Sequence, residues 1–303
     1  TDQQGPTFWM YVILWPHQAL GGVGNVTNMI RSVGRFAASF LLLSVFLFSS
    51  SVVFAQTSSL RPARAIYDLH LNKDRESAGI LGVKGRMVAE YIEDCSGFIL
   101  NQGFILRFSG SSGLDFVNDL QASHWESRDG DIIRFNLTST IDGKSVEQEQ
   151  GRAELGPGGA GNATWDKPKA LHLELPKGTA FPAVFSRKVL AHAIKGSRGF
   201  ETPLFDGSHE AGYYLVSIFI GDKLAPDAAG HHKLLAKTLP RWPIRMAYYS
   251  RQDQPNRGGV PEFEIGYTLY GDGVTDGLTL DYPEFGLKGR LVELEYLDQP
   301  SCE

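Results

Sequence analysis

Cys95 and Cys302 are the only two cysteines in this 303-residue chain, and they are the residues most able to do covalent chemistry. Neither stands in a C-x-x-C motif, which a redox-active dithiol requires. No set of His and carboxylate ligands flanks Cys95 at metal-binding spacing. In an oxidising compartment two cysteines allow one intramolecular pairing, Cys95 with Cys302. A structural disulfide is therefore the leading expectation. Two buried thiols and a reactive nucleophile are the alternatives.

Other motifs resemble catalytic signatures only in their letters. "GPGGAG" at 156–161 has the G-x-G-x-x-G spacing, but that motif works between a strand and a helix whose N-terminus receives a pyrophosphate. Here Asn162-Ala163-Thr164-Trp165 and Pro168 follow, so the stretch reads as a hairpin loop. "DGKS" at 142–145 ends like a P-loop, yet Thr138 stands where the earlier Gly belongs. "GSSG" at 110–113 lacks the spacing of a nucleophile elbow. His231 and His232 are neighbours on a loop with no third ligand in view. Carboxylates are scattered, and a glycosidase pair would meet only in space. The expectation is a protein without catalytic residues, cofactor or metal.

The front of the chain sets the compartment. From Met29 it reads "MIRSVGRFAASFLLLSVFLFSSSVVFAQ". Arg31 and Arg35 precede an apolar run, Phe36 to Phe48, and Val53-Phe54-Ala55 ends the segment with a cleavage pattern. This is the layout of a secretory signal peptide over 29–55, cut after Ala55. The apolar run is short for a bilayer span of roughly 20 residues, which argues against an anchor. Residues 1–28 are expected to be mis-annotated upstream sequence, and 56–303 a single domain. The net charge of −5 gives no basic face for nucleic acid.

The elements that must position any site are mostly strands. Tyr67, Leu69 and Leu71 alternate with Asp68 and His70. The same period of two places Phe104 with Leu106 and Phe108, Ile133 with Phe135 and Leu137, and Phe263 with Ile265, Tyr267 and Leu269. "LHLEL" at 171–175 alternates likewise, and "LVELEYL" at 291–297 sets Val292, Leu294 and Tyr296 on one face. "YYLVSIFI" at 213–220 is continuously apolar and reads as a strand buried on both faces. Asp129-Gly130, Asp142-Gly143, Asp272-Gly273 and Asp276-Gly277 are hairpin dipeptides. The stretches 155–168, 221–233 and 251–260 read as loops. One helix is predicted over 183–195, with Pro182 at its start, Gly196 at its stop, and Phe185, Val189, Leu190 and Ala193 on one face. No βαβ alternation appears. The fold class predicted is all-β: a long antiparallel meander curled into a spiral, partly closed barrel, with one amphipathic helix.

These pieces resemble the opening of the envelope integrity protein B family: "IYDLHLNK", then "AGILGVKGRMVAEYIEDCSGFILNQGFILRF". "SRDGDIIRFNL", "LPKGTAFP", "FDGS", "WPIRMAYY" and the near-terminal Cys302 follow in family order, so the resemblance spans Ala65 to Cys302. Phe98 and Phe185 depart from the family pattern, where Trp and His are frequent. The resemblance implies a β-spiral, a Cys95–Cys302 disulfide, a periplasmic location and a non-enzymatic role in envelope integrity. It also implies a functional link to a periplasmic tetratricopeptide-repeat protein. Protein–protein contact is the expected mode of action. The alternative is a carrier of lipid or lipoprotein, because a curled sheet with an apolar inner face can enclose a pocket.

Overall fold

The computed structural model describes residues 60–301, apart from 76–78, 114, 209–211, 227, 229 and 251–258. The segments 1–28 and 29–55, Cys302, and most of the loop expected at 251–260 lie outside the described residues. The chain forms β1 (Ala63–Leu71), β2 (Ile80–Glu93), β3 (Gly97–Gly110), β4 (Asp115–Ser127), β5 (Ile132–Ile141), β6 (Lys144–Leu155), β7 (Gly161–Lys167) and β8 (Leu171–Leu175). Helix α1 (Pro182–Lys195) follows, then β9 (Gly199–Leu204), β10 (Tyr214–Ile220), β11 (Arg241–Ser250), β12 (Phe263–Tyr270), β13 (Thr275–Asp281) and β14 (Gly286–Tyr296).

All fourteen strands join one sheet in the order β8-β7-β6-β5-β4-β3-β2-β1-β14-β13-β12-β11-β10-β9. The meander starts in the middle of the sheet, runs out to β8, crosses by α1 to β9, and returns to pair β14 with β1. That crossing dictates the curl. In a flat sheet, strand spacings of about 4.8 Å would leave β8 and β9 about 60 Å apart, while a 14-residue helix spans only about 21 Å. The sheet therefore rolls until its two edges meet. They meet at Ala180, whose N–H donates to Pro203 O at 2.9 Å and whose carbonyl accepts from Phe205 N at 3.1 Å. β8 and β9 do not otherwise pair, so the sheet is curled and not closed.

The inward rows of β1, β3 and β14 bury Tyr67, Leu69, Leu106, Phe108 and Leu287, and two further clusters lie on the strands toward the two edges. One gathers α1 with β9 to β12: Val189 and Leu190 pack with Val216, Ile218, Ile244 and Met246. The other lies under β5 to β8 and holds Ile133, Phe135, Trp165, Phe181 and Phe205. A file of aromatic rings crosses the interior between distant strands. It runs from Phe108 on β3 to Phe285 (5.7 Å), Tyr282 (5.1 Å), Phe263 (5.8 Å) and Tyr248 on β11 (4.4 Å).

The helix begins one residue before the predicted span, and it buries Phe185, Val189, Leu190 and Ala193 as its spacing required. Gly196 ends it in the left-handed region, donating to Ala193 O at 3.1 Å while Ser197 N donates to His192 O at 3.0 Å. Asp142-Gly143 makes the expected tight turn, with φ of 50° and 75°.

Four expectations are corrected. β10 is buried on one face only, and Phe219 on its other face is 62% exposed. The run 155–168 is not all loop: its Gly-rich part is the turn, and β7 follows with Trp165 buried. In β14 the register slips between Glu293 and Leu291, so Leu291, not Val292, points inward. Asp276-Gly277 lies inside β13, not at a turn. The Asp276 carboxylate accepts from Leu291 N at 2.9 Å, beside the bulge of β14.

Candidate functional site

The concave face of β1 to β4 contains a shallow area that its residue types explain. Directly opposed positions on these strands carry Ala65, Ala89, Gln102 and Ala122. Three methyl side chains in one cross-strand row leave a depression in the inner wall. Gln102, at its centre, faces inward yet is exposed. Around it the apolar inner residues Tyr91, Leu100, Phe104 and Leu120 are only half-buried. On β12, Ile265 and Tyr267 are also half-buried and pack against the core beside α1. Tyr267 turns its hydroxyl to Met246 Sδ at 3.8 Å. The inner wall here is thus apolar and keeps residual exposure around Gln102, although Ala65 and Ala122 of the row are themselves buried.

Two devices hold the ends of this space. The first is Glu126 on β4, fully buried, whose carboxylate accepts from Ala183 N and, at 3.3 Å, from Val184 N. Phe181 at the helix start offers no side-chain cap, so a glutamate from 57 residues away supplies it. Burial pushes its pKa up to about 7, against the lowering effect of those two hydrogen bonds and of Arg187. Arg187 itself lies over the Phe98 ring, 4.1 Å from the centroid. The second device is the loop Phe205-Asp206-Gly207-Ser208, which enters the interior. Phe205 is fully buried between Phe135, Trp165 and Phe181. His124 Nε2 contacts Asp206 O at 2.7 Å, and burial lowers the His124 pKa. Gly207 has φ +74°, and a Cβ there would lie 2.3 Å from the Phe135 ring, so this position admits only glycine.

Other polar groups are likewise bound into the framework. Glu149 accepts from Trp165 Nε1 at 2.8 Å. Asn118 donates to Ser139 Oγ at 3.2 Å. His231 contacts Ala236 O at 3.3 Å, and His232 Nδ1 accepts from Leu234 N at 3.2 Å, so both shape their own loop. Among the described residues no three His, Cys, Asp or Glu side chains gather as a metal site would require.

Cys95 lies exposed in the turn between β2 and β3, where Asp94 Oδ1 accepts from Ser96 N and Gly97 N at 2.7 Å each. Arg128 braces the same turn through Cys95 O at 3.3 Å and Glu93 at 3.0 Å. β2 and β14 both pair antiparallel with β1, so they run in the same direction and end at the same rim. Residues Ala63, Tyr91 and Tyr296 mark that rim in register. The sequence-predicted partner, Cys302, lies outside the described residues.

The convex face of β2 to β5 carries a hollow of about 540 Å³, which Gln102 and Ala122 of the alanine row also line. Gly103 leaves its floor open, and Asn101, Gln121, Ser123, Asn136 and Thr138 line it with hydrogen-bonding groups.

Composition alone did not reveal the depression or the Glu126 cap. The alanines are silent as single residues, and Glu126 is one carboxylate among many until register places it.

Comparison with known proteins supplies the rest. Residues 54–298 match the model of the EipB-like family. The chain is 32% identical over 270 residues to the cell envelope integrity protein EipB of Brucella abortus (strain 2308), covering 87% of this chain and 95% of that protein. It is similar in structure to a beta-barrel-like protein of a domain of unknown function, DUF1849, from Brucella abortus. The TM-score is 0.71 at 32% identity, over 79% of this chain and 99% of that one.

Proposed function

The chain belongs to the EipB-like family, and from that premise we propose that it is an exported, non-enzymatic periplasmic protein that maintains cell-envelope integrity by binding. The relative named for envelope integrity supports the role. The observation that carries the mode of action is the alanine-floored depression, with Gln102 exposed on an inner face. A filled scaffold has no reason to leave half-buried Leu100, Phe104 and Leu120 around a solvated amide. An apolar chain laid there removes their remaining exposure from water, at roughly 25 cal/mol per Å². The ligand class is an acyl chain of a lipid or lipoprotein. The absence of chemistry in this reading rests on the jobs already held by Glu126, His124 and Glu149.

The expected result with N-phenylnaphthylamine, an apolar fluorophore, is enhanced emission with the parent protein. Ala89→Trp, which fills the depression, is expected to lower that enhancement at least several-fold. Should Ala89→Trp fail to fold, Gln102→Trp addresses the same space. A folded variant that binds the probe as the parent does would remove the interior from consideration.

The convex hollow around Gly103 favours a second reading, contact with another protein. Its amides and hydroxyls suit a polar protein surface, and the tetratricopeptide-repeat protein implied by the family resemblance is the partner to seek. The edges are poor sites for strand addition. β8 is five residues long and is preceded by Pro168, and β9 carries Pro203.

A further inference from the structure

A second feature of the convex face stands independently of the interior. Lys288 on β14 is directly opposite His70 on β1, His70 is opposite Lys84 on β2, and Lys84 is opposite Arg107 on β3. Four adjacent strands thus present three cations and a histidine in one cross-strand row, about 14 Å long at the usual strand spacing. Like charges placed directly opposite one another oppose sheet formation. The neighbouring convex row shows the ordinary solution: Arg86 is opposite Asp68 and bonds it at 2.9 Å. In the basic row, Arg107 pairs with Asp115 and Lys288 with Asp74, both at exposed sites. Among the described residues no carboxylate pairs with Lys84.

The row borders a hollow of about 490 Å³ that also holds Lys73, Leu71, Val83 and the one carboxylate of its lining, Asp74, already paired with Lys288. Leu81 stands at its rim, 70% exposed. The chain as a whole is acidic, at −5, so this concentration of positive charge is local. Cations in a row beside an exposed leucine match the two chemistries of an anionic bilayer surface, phosphate above and hydrocarbon below.

We propose that the Lys288–His70–Lys84–Arg107 row is a docking site for the phosphate headgroups of an anionic membrane surface. No helix among the described residues is long and apolar enough to cross a membrane, and the contact is peripheral. The row would hold the protein against a leaflet without inserting it.

Vesicle flotation tests this with the full chain. Vesicles of phosphatidylglycerol mixed with phosphatidylcholine should capture the protein at low salt, and vesicles of phosphatidylcholine alone should not. Lys84→Glu should weaken capture on the order of tenfold, Lys84→Arg should restore it, and high salt should abolish it. Lys84 is exposed, so an unchanged melting temperature in each variant would exclude misfolding as the cause. Equal capture by both vesicle types, or by the parent and Lys84→Glu, would overturn the proposal. Binding of inorganic phosphate without capture of vesicles would also overturn it, assigning the row to a free anion. Binding of polyglutamate without vesicles would overturn it in favour of an acidic peptide.

Discussion

Glu126→Gln should gain stability relative to the parent protein as pH rises, by about 3 kcal/mol between pH 4.5 and about pH 7. The figure follows from a carboxyl whose pKa moves from 4.5 to about 7 on folding, at about 1.4 kcal/mol per unit. A carboxyl with a raised folded pKa holds its proton more tightly in the native state. Its favourable contribution is complete below the unfolded pKa of 4.5 and is lost as pH rises through the folded value. The glutamine does not titrate, so the difference between the two proteins isolates the effect. That comparison is needed because buried His124 has the opposite slope. Its folded pKa is lowered, and the stability it contributes when neutral is lost as pH falls. Glu126→Ala is a harsher change, leaving the Ala183 and Val184 N–H groups without their acceptor and opening a void. A loss of about 2–4 kcal/mol is expected near pH 4.5, where the carboxyl contributes fully, and it should shrink as pH rises toward 7 by the same amount as for Glu126→Gln. Urea unfolding of the three proteins across this pH range reads all of these quantities. A pH-independent difference between parent and Glu126→Gln would show that the carboxyl is not held as described.

Reduction, or Cys95→Ser, should produce the largest single loss. We propose that Cys95 and Cys302 are joined. β14 and β2 end at one rim with only β1 between them, about 10 Å apart. The six residues from Tyr296 to Cys302 are long enough to cover that distance at about 3.3 Å each. A bond between them would close a loop of about two hundred residues and stabilise the fold by roughly 5 kcal/mol through the entropy of the unfolded chain. For a domain of this size the melting temperature should fall on the order of 10 °C or more. The bond would fasten the rim where the first and last strands meet, leaving the edges at Ala180 untouched. If oxidised and reduced protein melt together, the pairing is wrong.

How much of this was readable from residues alone differs by element. The helix was legible because its apolar positions recur at helical spacing between a proline and a glycine. The strands carrying Tyr67, Phe104, Ile133 and Phe263 were legible because one face of each is wet, which forces alternation. β7 was hidden, since Asn162 to Trp165 is too short a pattern to stand out after four glycines. "YYLVSIFI" misled because Phe219 is apolar and exposed, and hydropathy cannot distinguish a wet phenylalanine from a buried one. Asp276-Gly277 has the letters of a turn, but bulge and turn both favour glycine at positive φ. The sites were illegible for a different reason. The Glu126 cap, the alanine row and the basic row each join residues from separate strands, and only register brings them together. Lys288 and His70 are far apart in sequence and adjacent in the sheet. The resemblance to a family agreed with the fold already read from the strands and added the envelope role, and it contained neither the alanine row nor the basic row.

Native mass spectrometry of the protein isolated without detergent from the cells that make it tests most directly whether the curled sheet holds a ligand. The account predicts a lipid-sized mass riding on the polypeptide, lost from Ala89→Trp. A bare protein in both samples would contradict it, and would turn attention to the convex hollow around Gly103 and a protein partner.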